Sequence, residues 1–141
     1  MNRRQAEAVL ALEREVSTAL ELLDSEAGLR DDWRTRYAAE RVIERIFQAA
    51  EAITPAQQRA YFGPDALRYL RGMRNRLAHN DLAIDPEVLW ATISVDLAVV
   101  RDRMRADAAT AAALIERGID QLQDVSEWRR VHLGPTRGTR G

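Results

Sequence analysis

The chain has 141 residues, a formal net charge of −1 and no cysteine, which fits one domain with a single hydrophobic core. The absence of cysteine excludes disulfides, thiolate metal sites and cysteine nucleophiles, and the balanced charge excludes general electrostatic attraction to nucleic acid. No apolar run approaches the roughly 20 residues of a membrane span, and the N-terminus has no signal-peptide pattern, so we expect a cytoplasmic protein with no membrane partner.

The first half of the sequence predicts two long amphipathic helices. Residues 2–26 form the first, and Gly28 is its expected stop. Asp31 or Asp32 is expected to cap the second, which runs to Ile53. The residues that recur at helical spacing and should face the core are Val9, Leu12, Val16, Ala19, Leu20 and Leu23, then Ala39, Ile43, Ile46, Ala50 and Ile53, with Phe47 beside them.

Two further helix starts follow. Thr54-Pro55-Ala56-Gln57 has the arrangement of a capping box, and it opens a short helical turn that Gly63-Pro64 ends. A third long helix is then predicted over residues 64–79. Asp85-Pro86-Glu87 starts the fourth, which either continues through the alanine-rich residues 106–113 or breaks near Asp107. Its core stripe is Leu89, Ile93, Leu97, Val100 and Met104.

The C-terminal part predicts one more short helix. Gly118 is expected to end the preceding helix, and residues 119–128 are expected to form the additional helix. The Gly-, Pro- and Arg-rich C-terminal end is expected to be frayed. We therefore predict an all-α protein, an up-and-down four-helix bundle with a short extra C-terminal helix. Residues 1–132 form the single domain and residues 133–141 a flexible tail.

One stretch of the third helix, between Ala66 and Asn80, carries four arginines and one histidine and no acidic residue. Its core-facing stripe is Leu70, Met73 and Leu77. The residues on the opposite side are Arg71, Asn75 and His79, with Arg74 flanking them. The chain has no lysine, so all 21 residues counted as Lys or Arg are arginine, a planar fork with a permanent charge that suits phosphate binding. This face is therefore either a solvated helix surface or an anion site.

If the anion bound by this face is RNA, these residue types suit cleavage without a metal ion. RNA carries its own nucleophile, the ribose 2′-OH, whose attack on phosphate needs a base, an acid and positive charge. His79 is suited to proton transfer, Arg74 supplies the fixed cation, and Asn75 is placed to orient the imidazole or bind a substrate oxygen. No acidic cluster has the spacing of a two-metal nuclease, so we expect no metal and no other cofactor.

The stretch Arg74-Asn75-Arg76-Leu77-Ala78-His79 resembles the signature of the HEPN superfamily. The segment Ile84-Asp85-Pro86-Glu87-Val88-Leu89-Trp90, followed by Asp96-Leu97, is similar in particular to the HepT-like branch, small helical-bundle toxins of prokaryotic toxin–antitoxin pairs. Residues 39–49 fall where that branch has a similar second-helix pattern. The similarity covers approximately residues 35–105.

The resemblance implies a metal-independent endoribonuclease toxin that acts on RNA (tRNA or mRNA) as a homodimer. Its matching catalytic positions are Arg74 and His79, with Asn75 as a supporting residue. Arg71 and Asp81 adjoin them: Arg71 is either a substrate contact or a plain surface charge, and Asp81 is most simply a helix-terminating residue.

Asp81 also departs from the family pattern. In toxins paired with a nucleotidyltransferase antitoxin, the second residue after the histidine is a tyrosine whose hydroxyl is adenylylated. A carboxylate has no phenol to modify, which argues against that antitoxin as the partner. The alternative function is a non-catalytic HEPN-type helical module that binds RNA, nucleotide or a partner protein. A plain dimeric scaffold is a third interpretation.

Overall fold

All secondary structure in the described part of the chain is helical. The computed structural model describes residues 1–22, 26–78 and 85–133. Its elements are α1 (Arg3–Leu22), α2 (Glu26–Asp31), α3 (Trp33–Ala52), α4 (Pro55–Ala78), α5 (Pro86–Ala91), a π-helical turn (Thr92–Leu97) and α6 (Ala98–Leu133). The all-α class is confirmed, whereas the up-and-down order and the homodimer stay predictions.

Side-chain caps set the starts of α3, α4 and α5, as the sequence predicted. The carboxylate of Asp32 accepts a hydrogen bond of 3.0 Å from a backbone N–H in the first turn of α3, and Asp85 does the same for α5 at 2.9 Å. Thr54 and Gln57 form a reciprocal capping box. The Thr54 N–H donates to Gln57 Oε1 at 2.9 Å, and the Gln57 N–H donates to Thr54 Oγ1 at 3.2 Å.

The core lies between α1, α3 and the continuous helical run of α5, the π-helical turn and α6. α1 packs against α3 and α6, and α4 packs against the same two helices. The predicted core stripes are confirmed where their residues are described, except that Leu20 is only half-buried. Buried side chains of these helices include Val9, Leu12, Val16, Ile43, Ile46, Phe47, Leu89, Ile93, Leu97, Val100 and Met104.

The first predicted helix end is wrong. α1 ends at Leu22, and Gly28 lies inside the short helix α2, which the sequence pattern did not predict. This turn of helix buries Leu29 completely. Full burial of a leucine side chain contributes about 1.5–3 kcal/mol, more than the roughly 1 kcal/mol that a helical glycine costs. Tertiary packing therefore outweighs the local preference of Gly28.

The prediction of a separate C-terminal helix is also wrong. Gly118 lies within α6, which continues to Leu133, so the longer extent considered for the fourth helix is correct and residues 119–128 are not an element of their own. A single glycine does not end a helix of 36 residues, because its cost is small and local. The predicted tail begins at residue 133, which is helical, and residues 134–141 lie outside the described residues.

Candidate functional site

Gly63 divides α4 into two segments. Its φ of 67° and ψ of 179° lie in a region that only glycine adopts readily. Pro64 follows it, and the fixed φ and missing N–H of proline suit the first position of a new helical segment. The break predicted at Gly63-Pro64 is confirmed, and residues 64–78 form the segment that carries the arginine stretch.

Contacts with α6 fix the corner at Gly63. The Tyr61 side chain is 1% exposed, and its hydroxyl donates a hydrogen bond to Asp107 Oδ2. Arg103 Nη1 donates to the carbonyl oxygen of Tyr61 at 3.4 Å. Burial, and then the hydrogen bond and charge of Asp107, raise the pKa of the Tyr61 phenol. The first segment of α4 is thereby attached to α6 at the residue where the second segment departs.

The second segment presents a polar outer surface, which we call the arginine face: Arg68, Arg71, Arg74 and Asn75. All four residues are exposed, whereas Leu67 packs against the hydrophobic core. None of the three arginines forms an ion pair with another residue in the described ranges, although Arg45 and Arg105 both pair with carboxylates there. Their charges are therefore available to an anionic ligand.

Arg74 differs from its neighbours because its guanidinium lies on an aromatic ring. Its Cζ is 5.1 Å from the centroid of the Phe47 ring, which belongs to α3 and is 2% exposed. An exposed cation–π contact of this kind contributes about 0.5–1 kcal/mol and restricts the plane of the guanidinium. Phe47 thus orients the cation that the sequence assigned to phosphate binding.

The predicted site residues are only partly within the described chain. Arg71, Arg74 and Asn75 lie together on the arginine face, as expected. His79 and Asp81 lie outside the described residues, and His79 directly follows Ala78, the last residue of α4, in the sequence. The side chains of the predicted inner stripe, Leu70, Met73 and Leu77, also lie outside the described part.

Sequence analysis missed the role of Phe47. It was assigned to the edge of the α3 core stripe, where it does lie, but its contact with Arg74 joins residues 27 positions apart on different helices. No periodicity within one helix reveals such a pair. The available signal was an aromatic residue at the border between the apolar and polar faces of α3.

No group of three or more histidine, cysteine, aspartate or glutamate side chains among the described residues is arranged to hold a metal ion. Within the same ranges, every helix is either too short or too polar to cross a lipid bilayer.

A family model matches this chain. The family model described as "Ribonuclease HepT-like" matches residues 12–106, which is more than half of the chain. The matched residues include all of α3 and α4 and therefore the arginine face. Comparisons with curated proteins and with solved structures gave no match.

Proposed function

Because the chain belongs to the HepT-like ribonuclease family, we propose that it is a metal-independent endoribonuclease and the toxin component of a prokaryotic toxin–antitoxin system. The observation that supports this proposal is the position of Arg74. Its guanidinium is exposed, forms no ion pair in the described part of the chain and is oriented by Phe47. Asn75 lies beside it, and His79 directly follows Ala78, the last residue of α4, in the sequence.

The proposed reaction is a transesterification within the RNA strand. A base removes the proton of the ribose 2′-OH, and the 2′-oxygen forms a bond to the adjacent phosphorus. The bond from phosphorus to the 5′-oxygen breaks, and an acid protonates that oxygen, leaving a 2′,3′-cyclic phosphate and a 5′-hydroxyl. His79 acts in the proton transfers, and Arg74 binds the phosphate oxygens by paired hydrogen bonds.

A homodimer would complete this site. One histidine does not readily serve as acid and base in the same step, and a twofold axis places two copies of Arg74 and His79 around one cleft. Residues five positions apart in a regular helix are rotated by about 140°, so a helix that continued through His79 would not place its side chain on the same narrow face as Arg74. A groove that two chains share would bring such groups to one phosphate.

The proposed setting is the cytoplasm, with RNA (tRNA or mRNA) as the substrate and an antitoxin as the partner. Asp81 occupies the position of the tyrosine that nucleotidyltransferase antitoxins modify in the family pattern. We therefore propose that neutralisation of this protein does not use tyrosine adenylylation, since a carboxylate offers no phenolic oxygen.

The test is RNA cleavage by the purified chain in excess EDTA. His79→Ala and Arg74→Ala should each abolish cleavage, and growth inhibition on induced expression, without changing the circular dichroism spectrum. Arg41→Ala removes an exposed arginine of α3 that pairs with Glu44 at 3.0 Å, and it should cleave like the wild type. A requirement for a divalent metal, or full activity of His79→Ala, would reject the proposal.

A second candidate function is a non-catalytic module that binds RNA, nucleotide or a protein through the arginine face. Asp81 favours it because this residue departs from the pattern of the toxin family. In that case the purified protein would bind RNA tightly, and Arg71→Ala and Arg74→Ala would weaken binding. No cleavage products with cyclic-phosphate ends would form at any protein concentration.

A further inference from the structure

A cavity of about 450 Å³ lies where the second segment of α4 leaves α6. It is open to solvent, and its volume falls within the roughly 300–1,000 Å³ range of small-molecule sites. It lies at the corner that the contacts of Tyr61 with Asp107 and Arg103 fix. The residues used below are Phe62, Pro64, Asp65, Asp96, Val99 and Arg103.

The lining combines apolar surface with both signs of charge. Phe62 and Val99 supply apolar wall, while Asp65 and Asp96 supply carboxylates and Arg103 a guanidinium. Both carboxylates are exposed, and neither forms an ion pair with a residue in the described ranges. The guanidinium has five N–H donors, of which one is used on the Tyr61 carbonyl.

The arginine face begins at the rim of this cavity. Pro64 lines the cavity, and Arg68, Arg71 and Asn75 follow it by four, seven and eleven residues, so they form one stripe along the helical segment. Arg74 lies ten residues beyond Pro64, which is about 15 Å along the axis. A few nucleotides of single-stranded RNA span that distance.

The charges decide which part of RNA can enter. Two carboxylates against one guanidinium leave the lining negative, so a phosphate is repelled from the cavity and attracted to the arginine face. A base has no charge, can stack on apolar surface and can donate N–H groups to carboxylates. A strand that follows the arginine face would therefore keep its backbone on the arginines and turn one base into the cavity.

We propose that this cavity binds a guanine base of the RNA, a few nucleotides from the phosphate that Arg74 holds; the inference rests on the proposed function. Guanine presents two donors, N1–H and the N2 amino group, to one carboxylate and two acceptors, O6 and N7, to an arginine. Adenine lacks an N1 donor, and its N6 amino group stands where guanine has an acceptor. Among the four bases, only guanine offers both two adjacent donor atoms for a carboxylate and two adjacent acceptor atoms for an arginine.

The experiment measures binding without cleavage. Two 2′-O-methyl oligonucleotides, whose nucleophile is blocked, are compared. One is an oligoadenylate, and the other is the same strand with one guanine in its centre. Fluorescence anisotropy gives the Kd of each. The wild type should bind the guanine oligonucleotide at least about fivefold more tightly, the lower end of what a bidentate base contact supplies. An inosine version, which lacks the N2 amino group, should lie between the two.

Carboxamide variants assign the preference to the cavity. Asp96→Asn and Asp65→Asn change exposed residues, and the double variant should bind both oligonucleotides equally. Asp102→Asn is the matched control, because it removes one exposed carboxylate of α6 that pairs with Arg105 and does not line the cavity. Its guanine preference should equal that of the wild type.

Equal binding of both oligonucleotides by the wild type, or an undiminished preference in the double variant, would overturn the inference. Cleavage of unmodified RNA that depends on His79 but shows no guanine preference refutes the cavity assignment and leaves the proposed function intact. Guanine preference without cleavage supports the cavity assignment and refutes the proposed function. Failure to bind either oligonucleotide refutes the cavity assignment, and refutes the proposed function as well when unmodified RNA is not cleaved.

Discussion

The guanidinium of Arg74 lies on the face of the Phe47 ring, which joins the arginine face of α4 to the core of α3. Because the ring is buried and the cation is exposed, the contact connects a rigid support with a ligand-binding group. A double-mutant cycle isolates the free energy of this contact from the other effects of each substitution.

A double-mutant cycle of Phe47→Leu and Arg74→Gln, measured by urea unfolding, should give a coupling free energy of about 0.5–1 kcal/mol. Phe47→Leu keeps an apolar side chain in the core but removes the aromatic face. The control cycle pairs Phe47→Leu with Arg71→Gln on the same exposed face, and its coupling should be near zero. Equal coupling in both cycles would show that the effect is not specific to the Arg74 contact.

The arginine face should also determine the salt dependence of RNA binding. Each arginine that neutralises a phosphate contributes about 0.7 to the slope of log K against log salt for a single strand. Arg68→Gln and Arg71→Gln should each lower the slope by about that amount, measured by anisotropy titrations at several salt concentrations. Arg41→Gln on α3 is the control and should leave the slope unchanged.

Stability at alkaline pH should depend on Tyr61. The pKa of its phenol is raised in the folded state, so the unfolded chain ionises first, near pH ~10, and folding then opposes proton release. The stabilisation is complete below that pH and is lost as pH rises toward the folded pKa, with a slope of at most about 1.4 kcal/mol per pH unit. The chain has no lysine that would titrate in the same range.

Tyr61→Phe should therefore be less stable at pH 7 by about 1–2 kcal/mol, because Asp107 loses its donor, yet its stability should fall less steeply above pH ~10. Urea unfolding at a series of pH values measures both quantities. Tyr37→Phe changes a phenol that is 67% exposed and should reproduce the wild-type profile. An unchanged alkaline slope in Tyr61→Phe would contradict the assignment.

Gly63→Ala should destabilise the fold by about 1–3 kcal/mol, because alanine cannot adopt the backbone conformation of this corner without strain. The added methyl group itself is tolerated: its nearest neighbour would be Arg103 Nη1 at 3.6 Å, an ordinary contact. Thermal unfolding gives the change. A stability equal to that of the wild type would mean that the corner relaxes into a regular helix.

Gly118→Ala should have the opposite effect and stabilise the protein by about 0.5–1 kcal/mol. Gly118 is helical, and a methyl group there would meet no atom of the described structure within 4 Å. The same thermal unfolding experiment serves both variants, and each is the control for the other. A loss of stability in Gly118→Ala would indicate a contact made by this part of α6 that the isolated chain does not show.

The features that could be predicted from sequence are those determined by near neighbours. The capping residues Asp32 and Asp85 act within two positions, and the core stripes follow the helical repeat. The errors at Gly28 and Gly118 arose where tertiary burial or helix length outweighs a local propensity. The contact of Arg74 with Phe47 and the cavity at Gly63 join separate helices, so no local pattern contains them.

The 36 residues of α6 also affect how the oligomeric state must be measured. At 1.5 Å per residue this helix is about 54 Å long, whereas the 20 residues of its neighbour α1 extend about 30 Å. Elongated particles elute early from gel-filtration columns, so a monomer would give the retention volume of a larger, rounder molecule. Light scattering or sedimentation equilibrium, which report mass independently of hydrodynamic radius, would separate one chain of 16.0 kDa from two.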